Sequence, residues 1–108
     1  SLWHYRFADY ILAHLLRYGT GNLEKHQLCH PALLELIRYD EQNGTEYAPT
    51  LASFLRNNQS PTPTAKALFI HRTSLLRRIE RINKITALHL DDPDEVLHLL
   101  LSARLLNL

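Results

Sequence analysis

The segment AKALFIHRTSLLRRIERINK, residues 65–84, determines the fold that this 108-residue sequence predicts. It holds six of the twelve basic side chains against one acid, Glu80, which gives it a charge of +5 and leaves −4 for all other residues. The six are Lys66, Arg72, Arg77, Arg78, Arg81 and Lys84. A nearly neutral chain that gathers its positive charge on one short segment is typical of a surface that meets phosphate.

Two helices are predicted here, a short one ending near Phe69 and a longer one from about Arg72 to Ile85. At 100° per residue, one side of the longer helix is largely apolar and the opposite side is polar. The first side consists of Leu75, Ile79, Ile82 and Thr86, and the second of Thr73, Ser74, Arg77, Arg81 and Lys84. A short helix, a tight connection and a longer helix with a basic outer face indicate a helix-turn-helix, whose second helix enters the major groove of DNA.

The polar side of the longer helix offers groups that bind nucleic acid. The planar guanidinium of arginine suits both phosphate and the O6/N7 edge of guanine, and a helix start offers free backbone N–H groups. We expect base contacts from Arg72, Thr73, Ser74 and Arg77. His71 and either Thr62 or Thr64 are expected near the DNA backbone. Phosphate contacts are expected from Lys66, Arg81 and Lys84. Arg78 borders the apolar side, so it either lies at the interface or braces a neighbouring helix.

Outward from this segment, the sequence predicts an all-α fold of about six helices, because period-two alternation is not sustained anywhere. A first helix carries an apolar stripe and ends at Gly19. The stripe is Phe7, Ile11, Leu12, Leu15 and Leu16. We expect residues 1–30 to form this helix and a connector, and residues 31–108 to form the helix-turn-helix domain, as part of a longer protein.

The middle of the chain predicts two further helices. Pro31 suits the first turn of one, with Leu33, Leu34, Ile37 and Tyr39 on its buried face and Asn43-Gly44 at its end. Thr45 is the expected N-cap of the next, which buries Leu51, Phe54 and Leu55 and ends before Ser60-Pro61-Thr62-Pro63.

The last helix has the clearest start signal in the sequence. Asp92 is the expected N-cap, Pro93 takes the first position, and Glu95 stands where a capping box returns a hydrogen bond. The following VLHLLLSARLL is apolar on nearly all sides. Such a helix lies in the core or packs on something outside this chain.

A longer pattern carries a resemblance to a known family. It reads Thr64-Ala65-x-x-Leu68-Phe69-Ile70-His71-Arg72, then Leu75, Arg78-Ile79-x-x-Ile82 and Leu88-x-Leu90-Asp91-Asp92-Pro93. This resembles the C-terminal helix-turn-helix domain of PucR-type bacterial transcription regulators, which include purine-catabolism and sugar-diacid regulators, and its turn is similar to that of Fis-type domains. The resemblance covers roughly residues 28–108. It implies binding of duplex DNA through residues 71–74 and Arg77, by a homodimer or higher oligomer of the full-length regulator, without a cofactor.

The sequence departs from this family at the start of the longer helix. The family usually has Asn-Thr where Thr73-Ser74 stand, and tyrosine where Arg77 stands. Loss of the amide removes a bidentate adenine reader, so we expect a different preferred DNA sequence. The glycine of many helix-turn-helix turns is also absent, and a positive φ there would cost Phe69 about 1 kcal/mol relative to glycine.

Other functions have weaker support. The spacing His26-x-x-Cys29-His30, with His14 nearby, offers zinc ligands but lacks a second ligand pair, so no metal site is expected. No phosphate-binding glycine loop, nucleophile elbow or paired carboxylates are present, so we do not expect an enzyme. RNA binding is disfavoured because the basic helix has no aromatic residue for base stacking.

The main alternative to DNA binding is a protein-interaction or dimerisation module. Its contact surface would be the aromatic first helix, with Trp3, Tyr5, Phe7 and Tyr10, or the apolar last helix. The longest apolar runs are too short for a membrane span, and the single cysteine, Cys29, fits a reducing compartment. We therefore expect a cytoplasmic protein.

Overall fold

The computed structural model describes the backbone of residues 2–19 and 21–108, and the side chains of residues 10–19 and 21–108. These residues form seven helices and no strand, which confirms the all-α fold. The helices are α1 (Leu2–Tyr18), α2 (Lys25–Leu28), α3 (Pro31–Asn43), α4 (Tyr47–Arg56), α5 (Pro61–Ala67), α6 (Arg72–Thr86) and α7 (Pro93–Leu105). The four-residue α2, within the predicted connector, is the helix beyond the six expected.

Helix α4 lies at the centre of the fold and packs against α3, α5, α6 and α7. Its apolar residues Leu51 and Leu55 are buried, as predicted, in the main core cluster. The large members of this cluster are Leu33, Leu36, Leu51, Leu55, Ile82 and Leu99. Burial of one such leucine stabilises a fold by roughly 1.5–3 kcal/mol, so this cluster fixes the relative positions of α3, α4, α6 and α7.

The inner face of α3 differs from the prediction by one position. Leu36, which the predicted stripe omitted, is completely buried, whereas Leu34 is only half-buried. Leu33 and Leu36, three residues apart, form the inward stripe together with Ala32. The predicted end is confirmed, because Gly44 adopts a left-handed conformation with φ of +65° and its N–H donates to the carbonyl of Asp40.

The predicted N-cap of α4 was wrong. Helix α4 begins after Glu46, and the hydroxyl of Thr45 donates to Asp40 Oδ1 at 2.6 Å. The Asp40 carboxylate also accepts the backbone N–H groups of Tyr47 and Ala48, at 2.9 and 2.8 Å. An acid from α3 therefore caps α4 across the loop, satisfying two of the four N–H groups that a helix start leaves free.

Helix α7 begins as predicted, with Asp92 accepting the N–H of Asp94 at 3.0 Å and Pro93 in the first position. The predicted capping box is absent, because the Glu95 side chain bonds elsewhere. Its Oε2 accepts the N–H of His89 at 2.8 Å, and its Oε1 accepts from His30 Nε2 at 2.9 Å. Glu95 therefore fastens α7 to the segments that precede α3 and α7.

Helix α1 ends at Tyr18, as Gly19 predicted, but the described part of its apolar stripe is only partly buried. Leu12 and Leu16 are half-buried beside Leu28 and the apolar side of α7, while Ile11 and Leu15 face solvent. The side chains of Trp3, Tyr5 and Phe7 lie outside the described residues. Among the helices of the described chain, none combines the length and apolar character that crossing a bilayer requires.

Candidate nucleic-acid interface

A small apolar cluster holds α5 and α6 together on α4. Phe54, Ala65 and Leu75 are buried in it, with Leu68, Ile70, Ile79 and Leu90 packed around them. The small Ala65 lets α5 approach α6 closely, and Leu75 on the first turn of α6 is completely buried. This packing anchors the N-terminal half of α6 by its apolar side, as the periodicity predicted.

The opposite side of α6 is open to solvent. Exposed side chains extend from its N-cap to its last turn, and these are His71, Arg72, Thr73, Ser74, Arg77, Arg81 and Lys84. Thr62 and Lys66 on α5 are exposed as well. Within the described residues, neither Arg77 nor Arg81 forms an ion pair with a carboxylate, so both guanidinium charges remain available to a ligand.

The start of α6 has free backbone donors. The first helical hydrogen bond runs from the N–H of Leu75 to the carbonyl of His71, and the His71 side chain does not cap the helix. The N–H groups of residues 72–74 therefore point out of the helix start with no acceptor from its first turn. Together with the positive end of the helix dipole, they form an environment suited to a phosphate oxygen.

Thr64 and Arg78 are placed differently from the other nine predicted DNA-binding residues. Thr64 is completely buried, and its hydroxyl donates to the carbonyl of Ser60 at 2.7 Å. Thr64 therefore does not belong to the exposed surface. Of the two threonines expected near the DNA backbone, Thr62 remains.

Arg78 braces a neighbouring helix, which was one of its two expected roles. It is half-buried, and its Nη1 donates to Thr50 Oγ1 at 3.0 Å. Thr50 is completely buried on α4, and its hydroxyl donates in turn to the carbonyl of Glu46 at 2.6 Å. The guanidinium of Arg78 thus links α6 to the first turn of α4.

Arg81 and Lys84 each have one side-chain partner. Arg81 Nη2 donates to the hydroxyl of Tyr39 at 3.3 Å, and this bond raises the pKa of Arg81. Tyr39 stacks on Tyr47 with ring centroids 5.7 Å apart, so a pair of aromatic rings orients the guanidinium. Lys84 Nζ lies 3.4 Å from Glu80, a pair so exposed that salt and solvent screen it.

The sequence did not reveal these supporting residues. Tyr39 was expected on the buried face of α3, and no role was predicted for Thr50. Each contacts an arginine far along the chain, 42 residues away for Tyr39 and 28 for Thr50. Helical periodicity assigns residues to faces of one helix and carries no signal for contacts between helices.

The residues considered as zinc ligands do not converge. Cys29 is buried, and burial raises the pKa of its thiol, while His30 bonds to Glu95 and His26 lies 3.3 Å from Glu24. Within the described residues no three His, Cys, Asp or Glu side chains are grouped as metal ligands would be. His30 instead joins the connector to α7, because its side chain bonds to Glu95 and its backbone N–H donates to the buried hydroxyl of Ser102 at 2.8 Å.

The tight α5–α6 connection, the apolar packing of both helices on α4 and the exposed cationic side of α6 define a helix-turn-helix domain. The family model of the PucR C-terminal helix-turn-helix domain matches residues 47–105. The chain therefore belongs to this family, and the resemblance seen in its sequence is confirmed.

Two bacterial relatives have similar sequences. The carbohydrate diacid regulator of Escherichia coli (strain K12) is 36% identical over 101 residues, which are 94% of this chain and 26% of that protein. The proline-responsive transcriptional activator PutR of Bacillus subtilis (strain 168) is 42% identical over 53 residues, 49% of this chain and 13% of that protein. The chain thus spans about a quarter or less of the length of these relatives. No solved structure matches it.

Proposed function

We propose that this chain is the DNA-binding domain of a bacterial transcription regulator, with α6 in the major groove of duplex DNA. The observation that carries the proposal is the two-sidedness of α6. Leu75 and Ile82 are completely buried on one side, while Arg77, Arg81 and Lys84 are exposed on the other. Membership of the helix-turn-helix family and the names of both relatives support the same function.

The proposed contacts divide into two groups. Residues on the first two turns of α6 read base edges, and these are Arg72, Thr73, Ser74 and Arg77. Residues on α5, at the N-cap of α6 and on its last two turns contact the sugar-phosphate backbone, and these are Thr62, Lys66, His71, Arg81 and Lys84. This division follows from the usual orientation of a recognition helix, whose N-terminal part reaches furthest into the groove.

In the full-length regulator we propose a homodimer or higher oligomer acting in the cytoplasm. Two copies of the domain would then occupy two half-sites about one helical turn apart on the same face of the DNA. Residues 31–108 form the DNA-binding unit in this proposal, and residues 1–30 connect it to the rest of the protein.

A salt-dependent titration tests the proposal. Fluorescence anisotropy measures binding to duplexes from the DNA upstream of the gene and its neighbours, at about 50 mM and about 200 mM salt. Contacts to about six phosphates predict an affinity loss of about 10³-fold between the two conditions. Absence of binding to every duplex at the lower salt would contradict the proposal and favour an interaction module.

Two arginine-to-alanine variants that each remove one positive charge locate the binding surface. Arg77→Ala is expected to weaken binding to the preferred duplex by about 1–3 kcal/mol, because a bidentate contact to guanine is lost. Arg104→Ala removes the same charge from an exposed position on α7 and serves as the matched control. Equal losses in both variants would show that net charge, and not the face of α6, governs binding.

A further inference from the structure

The connection between α5 and α6 contains an aromatic side chain in an unfavourable backbone conformation. Phe69 has φ of +56°, in the left-handed region, and its side chain is 95% exposed. Glycine adopts this conformation freely, whereas a bulky residue is strained in it. Phe69 therefore raises the energy of the folded chain and buries almost no apolar surface in return.

The other non-glycine residues with positive φ have local explanations. Asn58 and Asn107 belong to the residue type that tolerates this region best. Ala87 is the left-handed C-cap of α6, and Gln59 is fixed by a 2.8 Å hydrogen bond from its side chain to the carbonyl of Leu90. Among these five residues, Phe69 has the largest side chain, and its ring is almost fully exposed in the part of the chain that the structure describes.

The direction of the Phe69 side chain follows from its neighbours. Leu68 and Ile70 both pack inward on the cluster of Phe54, Ala65 and Leu75, so the residue between them points outward. Two residues further along, His71 begins the exposed surface at the N-terminus of α6. The ring therefore stands beside the end of α6 that is proposed to enter the major groove.

We propose that Phe69 contacts DNA directly and that its ring packs on the 5-methyl group of a thymine at the edge of the recognised sequence. This inference rests on the proposed function. The ring has no hydrogen-bonding group, and the thymine methyl is the apolar group that base edges present in the major groove. A strained, solvent-exposed aromatic at a binding surface is explained if burial of its ring on binding offsets the strain.

A pair of substitutions, one in the protein and one in the DNA, tests the contact. Phe69→Gly suits the observed φ, so the variant keeps the fold and its melting temperature equals or exceeds that of the wild type. Its affinity for the preferred duplex is expected to fall about tenfold. Leu97→Ala, which shortens an exposed apolar side chain on α7, is the control and leaves affinity unchanged.

Replacing each thymine in turn by deoxyuridine removes one methyl group at a time. The wild type is expected to lose about three- to fivefold in affinity at one position, and Phe69→Gly is expected to lose nothing further there. Equal affinity of Phe69→Gly and the wild type, or a deoxyuridine effect that persists in Phe69→Gly, would overturn the inference while leaving the proposed function intact. If the wild type binds no duplex at low salt, the proposed function fails first and this contact fails with it.

Discussion

Helices α6 and α7 have similar lengths, 15 and 13 residues, and both pack on α4, yet they divide polar and apolar residues differently. Helix α6 has a purely apolar buried side, with Leu75 and Ile82, and a cationic exposed side. Helix α7 is apolar nearly all round, but Ser102 is buried on it while Leu97 is 55% exposed. Both helices pack on α4, but solvent determines which residues of α6 are polar, whereas the packed neighbours of α7 determine which of its residues are polar.

The difference between the two helices reflects what surrounds them. One side of α6 faces solvent along its whole length, so its sequence follows a simple periodicity. Helix α7 is contacted by α3, α4 and the connector before α3, and a polar group is required where the connector meets it. The Ser102 hydroxyl accepts the N–H of His30 and donates to the carbonyl of His98, so a buried polar side chain is fully used.

The largest expected effect tests the buried side of α6 against the exposed side of α7. Leu75→Ala is expected to lower the free energy of unfolding by about 2–5 kcal/mol, because Leu75 is completely buried. Leu97→Ala, the same change at an exposed site, is expected to cost less than about 0.5 kcal/mol. Urea denaturation of both variants measures the two values, and similar values would contradict the assigned sides.

The next effect concerns α4, the platform that both helices share. Asp40→Ala removes the acceptor of three hydrogen bonds and leaves two N–H groups at the start of α4 without a partner. Loss of an N-cap costs about 0.5–2 kcal/mol, and the lost bond to Thr45 places Asp40→Ala at the upper end of that range. Glu41→Ala, at the neighbouring exposed position, is the control for loss of one acid on α3. A change of equal size in both variants would show that charge, and not capping, explains the result.

Adjacent arginines on α6 offer a more specific test. Arg78→Ala is expected to destabilise the fold by about 1 kcal/mol, because the charged hydrogen bond to buried Thr50 is lost. Arg77→Ala is expected to leave stability unchanged within about 0.5 kcal/mol while it weakens DNA binding. Thermal denaturation and DNA titration of both variants separate the two roles. If Arg77→Ala is the more destabilising variant, the cationic side of α6 has a structural role instead.

The sequence predicted what local patterns determine. Spacing placed Leu75 and Ile82 inward and the arginines outward, the proline and acid at 92–93 located the start of α7, and Asn43-Gly44 located the end of α3. Each of these features depends on residues within one or two helical turns. The short helix, the tight connection and the basic longer helix indicated the helix-turn-helix, and the family pattern added the PucR family, which the family model confirms.

Two capping predictions failed because the side chains bond outside the helix start that they were expected to cap. Thr45 and Glu95 have side chains that suit local capping, but Asp40 caps α4 and Glu95 bonds to His30 and His89. Thr64 looked like a surface residue because threonine is polar, although its hydroxyl is satisfied by the carbonyl of Ser60. In each case the residue type was compatible with two environments, and tertiary packing selected between them.

The smallest effect tests how α7 is fastened to the connector, and it depends on pH. His30 Nδ1 accepts the N–H of Ala32, so its Nε2 carries the proton and donates to Glu95. This bond, and that from the N–H of His89, lower the pKa of Glu95 from its ordinary value of 4.5. The ionised carboxylate therefore stabilises the fold above that value, and the contribution is lost as pH falls through the lowered pKa.

The stability difference between the wild type and Glu95→Gln is expected to be constant near neutral pH and to shrink below about pH 4.5, as measured by urea denaturation across this range. A difference that stays constant down to about pH 3 would mean that the Glu95 charge does not stabilise this contact, and that apolar packing and the bond from His30 to Ser102 hold α7 to the connector.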